Sequence, residues 1–116
     1  EQVAWVNFAG LPSHPDHAMA QKYMGGKASA IMSFGVKGGE AAAVKFIDAL
    51  QLLYRLVNIG DAKSLACHPA TTTHRQLNAD EMEKVGVSKD LIRLSIGIEH
   101  IDDILADITQ ALAAAK

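Results

Sequence analysis

Between positions 91 and 96 the chain reads Leu-Ile-Arg-Leu-Ser-Ile. On an extended backbone this puts Ile92, Leu94 and Ile96 on one side and Leu91, Arg93 and Ser95 on the other. The segment therefore predicts a strand whose apolar side needs a cover and whose other side carries a fixed charge. Ala28 to Val36 alternates in the same way, with Ala30, Met32, Phe34 and Val36 facing away from Ser29, Ile31, Ser33 and Gly35. Two helices can supply the cover. After Gly38-Gly39, the residues Ala43, Phe46, Ile47, Leu50, Leu53, Tyr54 and Val57 recur at helical spacing and predict a helix ending near Leu56. From about His100, Ile101, Ile104, Leu105, Ile108 and Leu112 form a second stripe, with Glu99, Asp102 and Asp103 at its start and Lys116 at its end, the signs a helix dipole favours.

The remaining segments are shorter. Val3 to Phe8 alternates loosely before Gly10-Leu11-Pro12 breaks it, and Ser13 or Asp16 can cap a short helix over His17 to Met24. Val57 to Ile59 and Ser64 to Cys67 read as short extended pieces, and His68-Pro69 ends the second. Asn78-Ala79-Asp80-Glu81 is a capped entry to one or two helical turns closed by Gly86. This order predicts an α+β, two-layer sandwich: a small, mainly antiparallel sheet of three to five strands with helices on one face. The face bearing Arg93 and Ser95 is then left without a cover from this chain.

A length of 116 residues suits one domain with a single core. The formal net charge of -2, with scattered lysines, argues against a nucleic-acid footprint, which needs a basic stripe. No apolar run approaches the roughly 20 residues of a membrane-spanning helix. The single Cys67 rules out an internal disulfide and fits a reducing compartment. A chain that opens on Glu1-Gln2-Val3, without methionine and already strand-like, is expected to be part of a longer polypeptide.

Four kinds of chemistry compete for the polar residues. Cys67, His68, His74, His14 and His17 lack the paired spacing of a zinc site, and no metal ligand is assigned. Gly35 to Glu40 matches neither nucleotide-binding glycine pattern and reads as a strand-to-helix turn. Cys67 shares register with apolar Leu65 and reads as a small core residue rather than a nucleophile. The last is a carboxylate clamp. Arg93 offers a planar fork on a stiff strand, Asn58 an amide at the end of an extended piece, and Thr71-Thr72-Thr73 a run of hydroxyls. Strand alternation alone also allows Arg93 to sit on a solvated sheet face.

Ser64-Leu65-Ala66-Cys67-His68-Pro69-Ala70-Thr71-Thr72-Thr73-His74, followed by Leu91 to Glu99, resembles the C-terminal domain of the Cys/Met-metabolism family of pyridoxal-phosphate enzymes. His14-Pro15 with its helix, Ser33-Phe34 running to Gly38-Gly39-Glu40, and the closing Ile101-Asp102-Asp103 helix extend the likeness over nearly the whole chain. Asn58 to Leu65 and His74-Arg75-Gln76-Leu77 are most similar to the O-acetylhomoserine sulfhydrylase branch. The γ-lyases and γ-synthases usually carry serine where Asn58 stands.

The resemblance implies that Arg93 binds the substrate α-carboxylate, that Asn58 assists, and that Thr73 lies near the site. None of the eight lysines has the serine/threonine-rich context of the family's catalytic lysine. Residues 1–116 are therefore expected to be the small, substrate-carboxylate domain, with no catalytic or cofactor-binding residue of their own. Pyridoxal 5'-phosphate would be held by a large domain absent from this chain. The implied whole is a cytoplasmic homotetramer that takes an amino-acid substrate and has no nucleic-acid or membrane partner. It would convert O-acetylhomoserine and sulfide (or methanethiol) to homocysteine (or methionine) and acetate. A cystathionine γ-synthase, γ-lyase or methionine γ-lyase domain is the alternative within the family, and a stand-alone α+β protein-interaction module the alternative outside it.

Overall fold

The computed structural model describes residues 1–116. Five strands form one sheet: β1 (Val3–Asn7), β2 (Ile31–Val36), β3 (Tyr54–Arg55), β4 (Leu65–Cys67) and β5 (Leu91–Ser95). Their order across the sheet is β1-β2-β5-β4-β3, antiparallel throughout except for the parallel β3–β4 edge. Helices α1 (His17–Tyr23), α2 (Gly39–Ala49), α3 (Ala79–Lys84) and α4 (Ile101–Ala114) complete the α+β fold, with a 3-10 turn at Pro69–Thr71. No helix is long and apolar enough to cross a membrane.

The alternation read from sequence sets the layers. Phe34 and Val36 of β2, Ile92 and Leu94 of β5 and Ala66 of β4 meet Phe46 and Ile47 of α2 and Ile104 and Ala111 of α4 in one core. Phe34 and Phe46 meet edge to face, with ring centroids 5.5 Å apart and planes at 89°. The opposite, outer face carries Trp5, Ser33, Gly35, Leu91, Arg93, Leu65 and Cys67, as the strand registers require.

Helix α2 ends at Ala49, well before the expected stop near Leu56, and Leu50 is already extended (φ -62, ψ 136). The cause lies on α4. The Asp107 carboxylate accepts the backbone N–H groups of Gln51, Leu52 and Leu53 at 2.8, 2.8 and 2.9 Å, giving them an acceptor that replaces the helical carbonyls. Leu53 stays buried, but Tyr54 and Val57 of the same stripe are exposed, so beyond Ala49 the stripe marks neither a helix nor a continuous buried face. The short strand expected at Val57 to Ile59 forms instead at Tyr54–Arg55.

Helix entries are mixed. Asn78 and Glu81 form a reciprocal capping box on α3. Asp16 occupies the first cap but makes no side-chain cap bond; its own N–H donates to His14 Nδ1 at 3.1 Å. The outer face is also less bare than expected. Gly60 N–H donates to Ser95 Oγ at 3.1 Å, folding the β3–β4 loop against the end of β5 and leaving Ser95 buried. Arg93, two residues earlier, is only half-buried.

Candidate functional site

Arg93 stands on the central strand with Ser33 of β2 directly across on one side and Cys67 of β4 on the other. Strand geometry makes these neighbours unequal. Val36 N–H donates to the Asp90 carbonyl at 3.1 Å, and Ile96 N–H to the Ala30 carbonyl at 2.9 Å, so even-numbered β2 residues form the hydrogen-bonded pairs with β5. Ser33–Arg93 is then a non-hydrogen-bonded pair, with Cα atoms about 4.5 Å apart and side chains close. Arg93 turns its backbone polar groups toward Cys67, at the wider spacing of about 5.5 Å.

No acid within the chain neutralises this guanidinium. The ion pairs lie elsewhere: Arg55–Asp48, Lys89–Glu40 and His100–Asp102. Cys67 does not supply a counter-charge either. Burial pushes its thiol pKa up, and the attraction of Arg93, which pulls it down, does not overcome that. Arg93 is thus a half-exposed cation beside a neutral thiol, free to receive an external anion.

The two expected companions lie on the loops before and after β4, the strand beside β5. Asn58 is exposed in the β3–β4 loop rather than at a strand end, and its Oδ1 accepts the Ile59 N–H at 2.9 Å, which leaves its amide N–H groups available. Thr73 is exposed after the 3-10 turn, with its hydroxyl 2.7 Å from His74 Nδ1. No hydrogen bond joins any two of Arg93, Asn58 and Thr73.

The residues that fix these loops stood out in the sequence for other reasons: His68 as a strand end, Ser64 as a strand start and Glu99 as a charge at a helix entry. His68 is buried, with Nε2 2.8 Å from the Lys89 carbonyl and Nδ1 2.9 Å from Thr71 Oγ1. The carbonyl can only accept, so Nε2 carries a proton, and Nδ1 shares a hydrogen bond with the Thr71 hydroxyl. Thr72 Oγ1 donates to the His68 carbonyl at 2.8 Å, which closes the turn preceding Thr73. On the other side, Glu99 accepts the Ser64 N–H at 2.6 Å and the Ser64 hydroxyl at 2.8 Å, while Ser64 Oγ accepts the Gly97 N–H at 2.9 Å. A side chain at Gly97 would collide with the Ala62 carbonyl oxygen, so the close approach of that loop needs glycine. Only the bare Ser64 and Glu99 letters, 35 residues apart, could have signalled this lock.

A pyridoxal-phosphate site makes one demand of the lysines. It needs a sheltered lysine amine, and all eight lysines lie exposed on the surface. Lys89 is paired with Glu40, Lys45 with the Lys116 carbonyl, and Lys22 and Lys63 sit over Tyr23 and Tyr54. These residues do not make a cofactor site.

An α+β sheet that presents an arginine with no acid partner offers a place where an anion can bind. Residues 1–113 match the Cys/Met metabolism PLP-dependent enzyme family, and the chain belongs to that family. It is 53% identical over 112 residues to O-acetyl-L-homoserine sulfhydrylase 1 of Thermus thermophilus, covering 97% of this chain and 27% of that protein. It is 51% identical to homocysteine synthase of Schizosaccharomyces pombe, over 98% of this chain and 27% of that protein. Among solved structures, an O-acetylhomoserine (thiol)-lyase of Campylobacter jejuni carrying a pyridoxyl-lysine superposes with a TM-score of 0.87 at 41% identity, over 97% of this chain and 27% of the other. Cystathionine gamma synthase of Xanthomonas oryzae, solved with cystathionine, gives a TM-score of 0.85 at 39% identity, over 98% and 29%. The chain thus spans about a quarter of the length of the relatives it matches.

Proposed function

We propose that this chain is the substrate-carboxylate domain of an O-acetylhomoserine sulfhydrylase. The intact protein would join O-acetylhomoserine to sulfide or methanethiol, releasing acetate and yielding homocysteine or methionine. Pyridoxal 5'-phosphate supplies the electron sink for this γ-replacement and is held by a large domain outside these residues. The role of this chain is orientation. The Arg93 fork takes both oxygens of the substrate α-carboxylate, and the Asn58 amide and Thr73 hydroxyl approach from the two flanking loops. A carboxylate fixed at one end limits the rotation of the rest of the amino acid, which is the usual rate benefit of positioning. The observation that carries the reading is a half-buried arginine on a central strand with no acid to pair with.

The relatives bearing sulfhydrylase or homocysteine synthase names at 51–53% identity support this branch over the methionine gamma-lyase of Pseudomonas deceptionensis at 47%. Asn58 supports it as well. The protein works as a cytoplasmic homotetramer on this reading, as its family resemblance implies.

The test is a product assay on the purified full-length protein given O-acetylhomoserine. Sulfide should give homocysteine at a rate well above that of cystathionine formation from cysteine. Preferential cystathionine formation, or methionine breakdown as the dominant activity, would replace the sulfhydrylase assignment. The 116-residue chain alone, supplied with cofactor and both substrates, should form no homocysteine; turnover by it would show that the catalytic groups lie within this chain.

A further inference from the structure

The Arg93 row of the outer face holds a second polar group that the carboxylate clamp leaves without a role. Ser33 stands directly opposite Arg93, in the closer of the two kinds of antiparallel pair. The rows on either side are apolar or small: Gly35 with Leu91, and Ile31 with Leu65 across Ser95. A hydroxyl is thus placed once on β2, at the guanidinium's own position. Ser33 is half-buried, and its hydroxyl has no hydrogen-bond partner within the chain. That distinguishes it from the other hydroxyls of this region. Ser64 is taken by Glu99 and Gly97, Ser95 by Gly60, and Thr71 and Thr72 by His68.

From this placement, and resting on the reading of Arg93 as a carboxylate clamp, we infer that Ser33 is a positioning residue that orients the Arg93 fork when a carboxylate binds. The guanidinium has five N–H donors in one plane, and a bidentate carboxylate uses two of them. A hydroxyl reaching from the adjacent strand can accept the Nε–H, which lies nearest the backbone, and leave the terminal amino groups to the ligand. The fork then has one plane and one reach rather than the several rotamers open to a long side chain. Cys67, the neighbour on the other side, is farther away and is a weak acceptor, so it cannot substitute.

Steady-state kinetics of the full-length protein tests this through a double-mutant cycle of Ser33→Ala and Arg93→Ala, with Ser33→Thr as the conservative variant. Ser33→Ala should raise KM for the acyl-homoserine by about 3- to 12-fold, the equivalent of losing roughly one ordinary hydrogen bond. The KM for sulfide, kcat and the melting temperature should stay within twofold or a degree or two of wild type. Ser33→Thr should restore KM, and Ser33→Ala added to Arg93→Ala should change KM no further. An unchanged KM in Ser33→Ala, with Arg93→Ala strongly impaired, would overturn the role of Ser33 and leave the clamp standing. An equal KM rise with and without Arg93 would overturn it too, because the hydroxyl would then act independently of the fork. If Arg93→Ala itself kept a wild-type KM, the clamp would fail and the role of Ser33 with it.

Discussion

Glu99 holds the Ser64 N–H on one carboxylate oxygen at 2.6 Å and the Ser64 hydroxyl on the other at 2.8 Å. The backbone bond from Ser64 is the main reason its pKa is lowered in the folded chain, with the hydroxyl adding to it and partial burial opposing. A carboxyl whose folded pKa lies below its unfolded one stabilises the fold above the ordinary carboxylate range, and loses that contribution as pH falls through the folded value. Glu99→Gln should therefore lower the urea midpoint near neutrality, and the gap to wild type should close on acidification. A gap that persists unchanged to acid pH would mean that the charge on Glu99 is not what holds the Ser64 loop. Ser64 and Glu99 illustrate what stays hidden at this scale. Neither letter points to the other, and only the return of β4 alongside β5 brings them together. The place of Arg93 on the outer face was legible because the alternation of β5 lies within one strand.

Among the elements, α2 and the segment after it show where periodicity misleads. The stripe from Ala43 to Val57 is continuous in sequence, yet the chain leaves the helix after Ala49 because Asp107 offers three amides a better acceptor. Gln110 strengthens the arrangement, donating to the Ala49 carbonyl at 2.6 Å and to Asp107 at 2.9 Å. Burial by itself would raise the Asp107 pKa, but the N–H groups of Leu53, Gln51 and Leu52 and the Gln110 amide together hold it below the usual range. Its stabilising contribution is accordingly present at neutral pH and lost as pH drops through that lowered value. Asp107→Ala strips the acceptor from the buried Leu53 and half-buried Leu52 amides and should cost about 2–4 kcal/mol in chemical denaturation of the full-length protein. A loss below about 0.5 kcal/mol would show that water satisfies those amides equally well. The stripes at β2 and β5 were readable because each lies within one element. Helix α4 was readable as a helix, but its buried side is Ile104, Asp107 and Ala111, and Ile101 and Leu105 of the expected stripe are exposed. The α2 stop was not readable, because its cause lies 54 to 56 residues away.

At the level of the whole molecule, the layer arrangement follows from two amphipathic helices sharing the apolar side of one alternating sheet, as the sequence pattern requires. The same pattern left the outer face unassigned, and the structure divides it. The β3–β4 loop covers Ser95, while Arg93 remains half-open between Ser33 and Cys67. The positions of Asn58 and Thr73 depend on loops pinned by His68 and Glu99, which no local periodicity encodes. On the proposed reading this domain supplies recognition, and it makes up about a quarter of the length of its relatives.

The most direct test of the carboxylate clamp is the KM for O-acetylhomoserine of full-length Arg93→Ala set against wild type. Loss of the partner for a buried carboxylate costs on the order of 2–5 kcal/mol, so KM should rise at least about 30-fold while the KM for sulfide holds. A KM for O-acetylhomoserine within threefold of wild type would contradict the account.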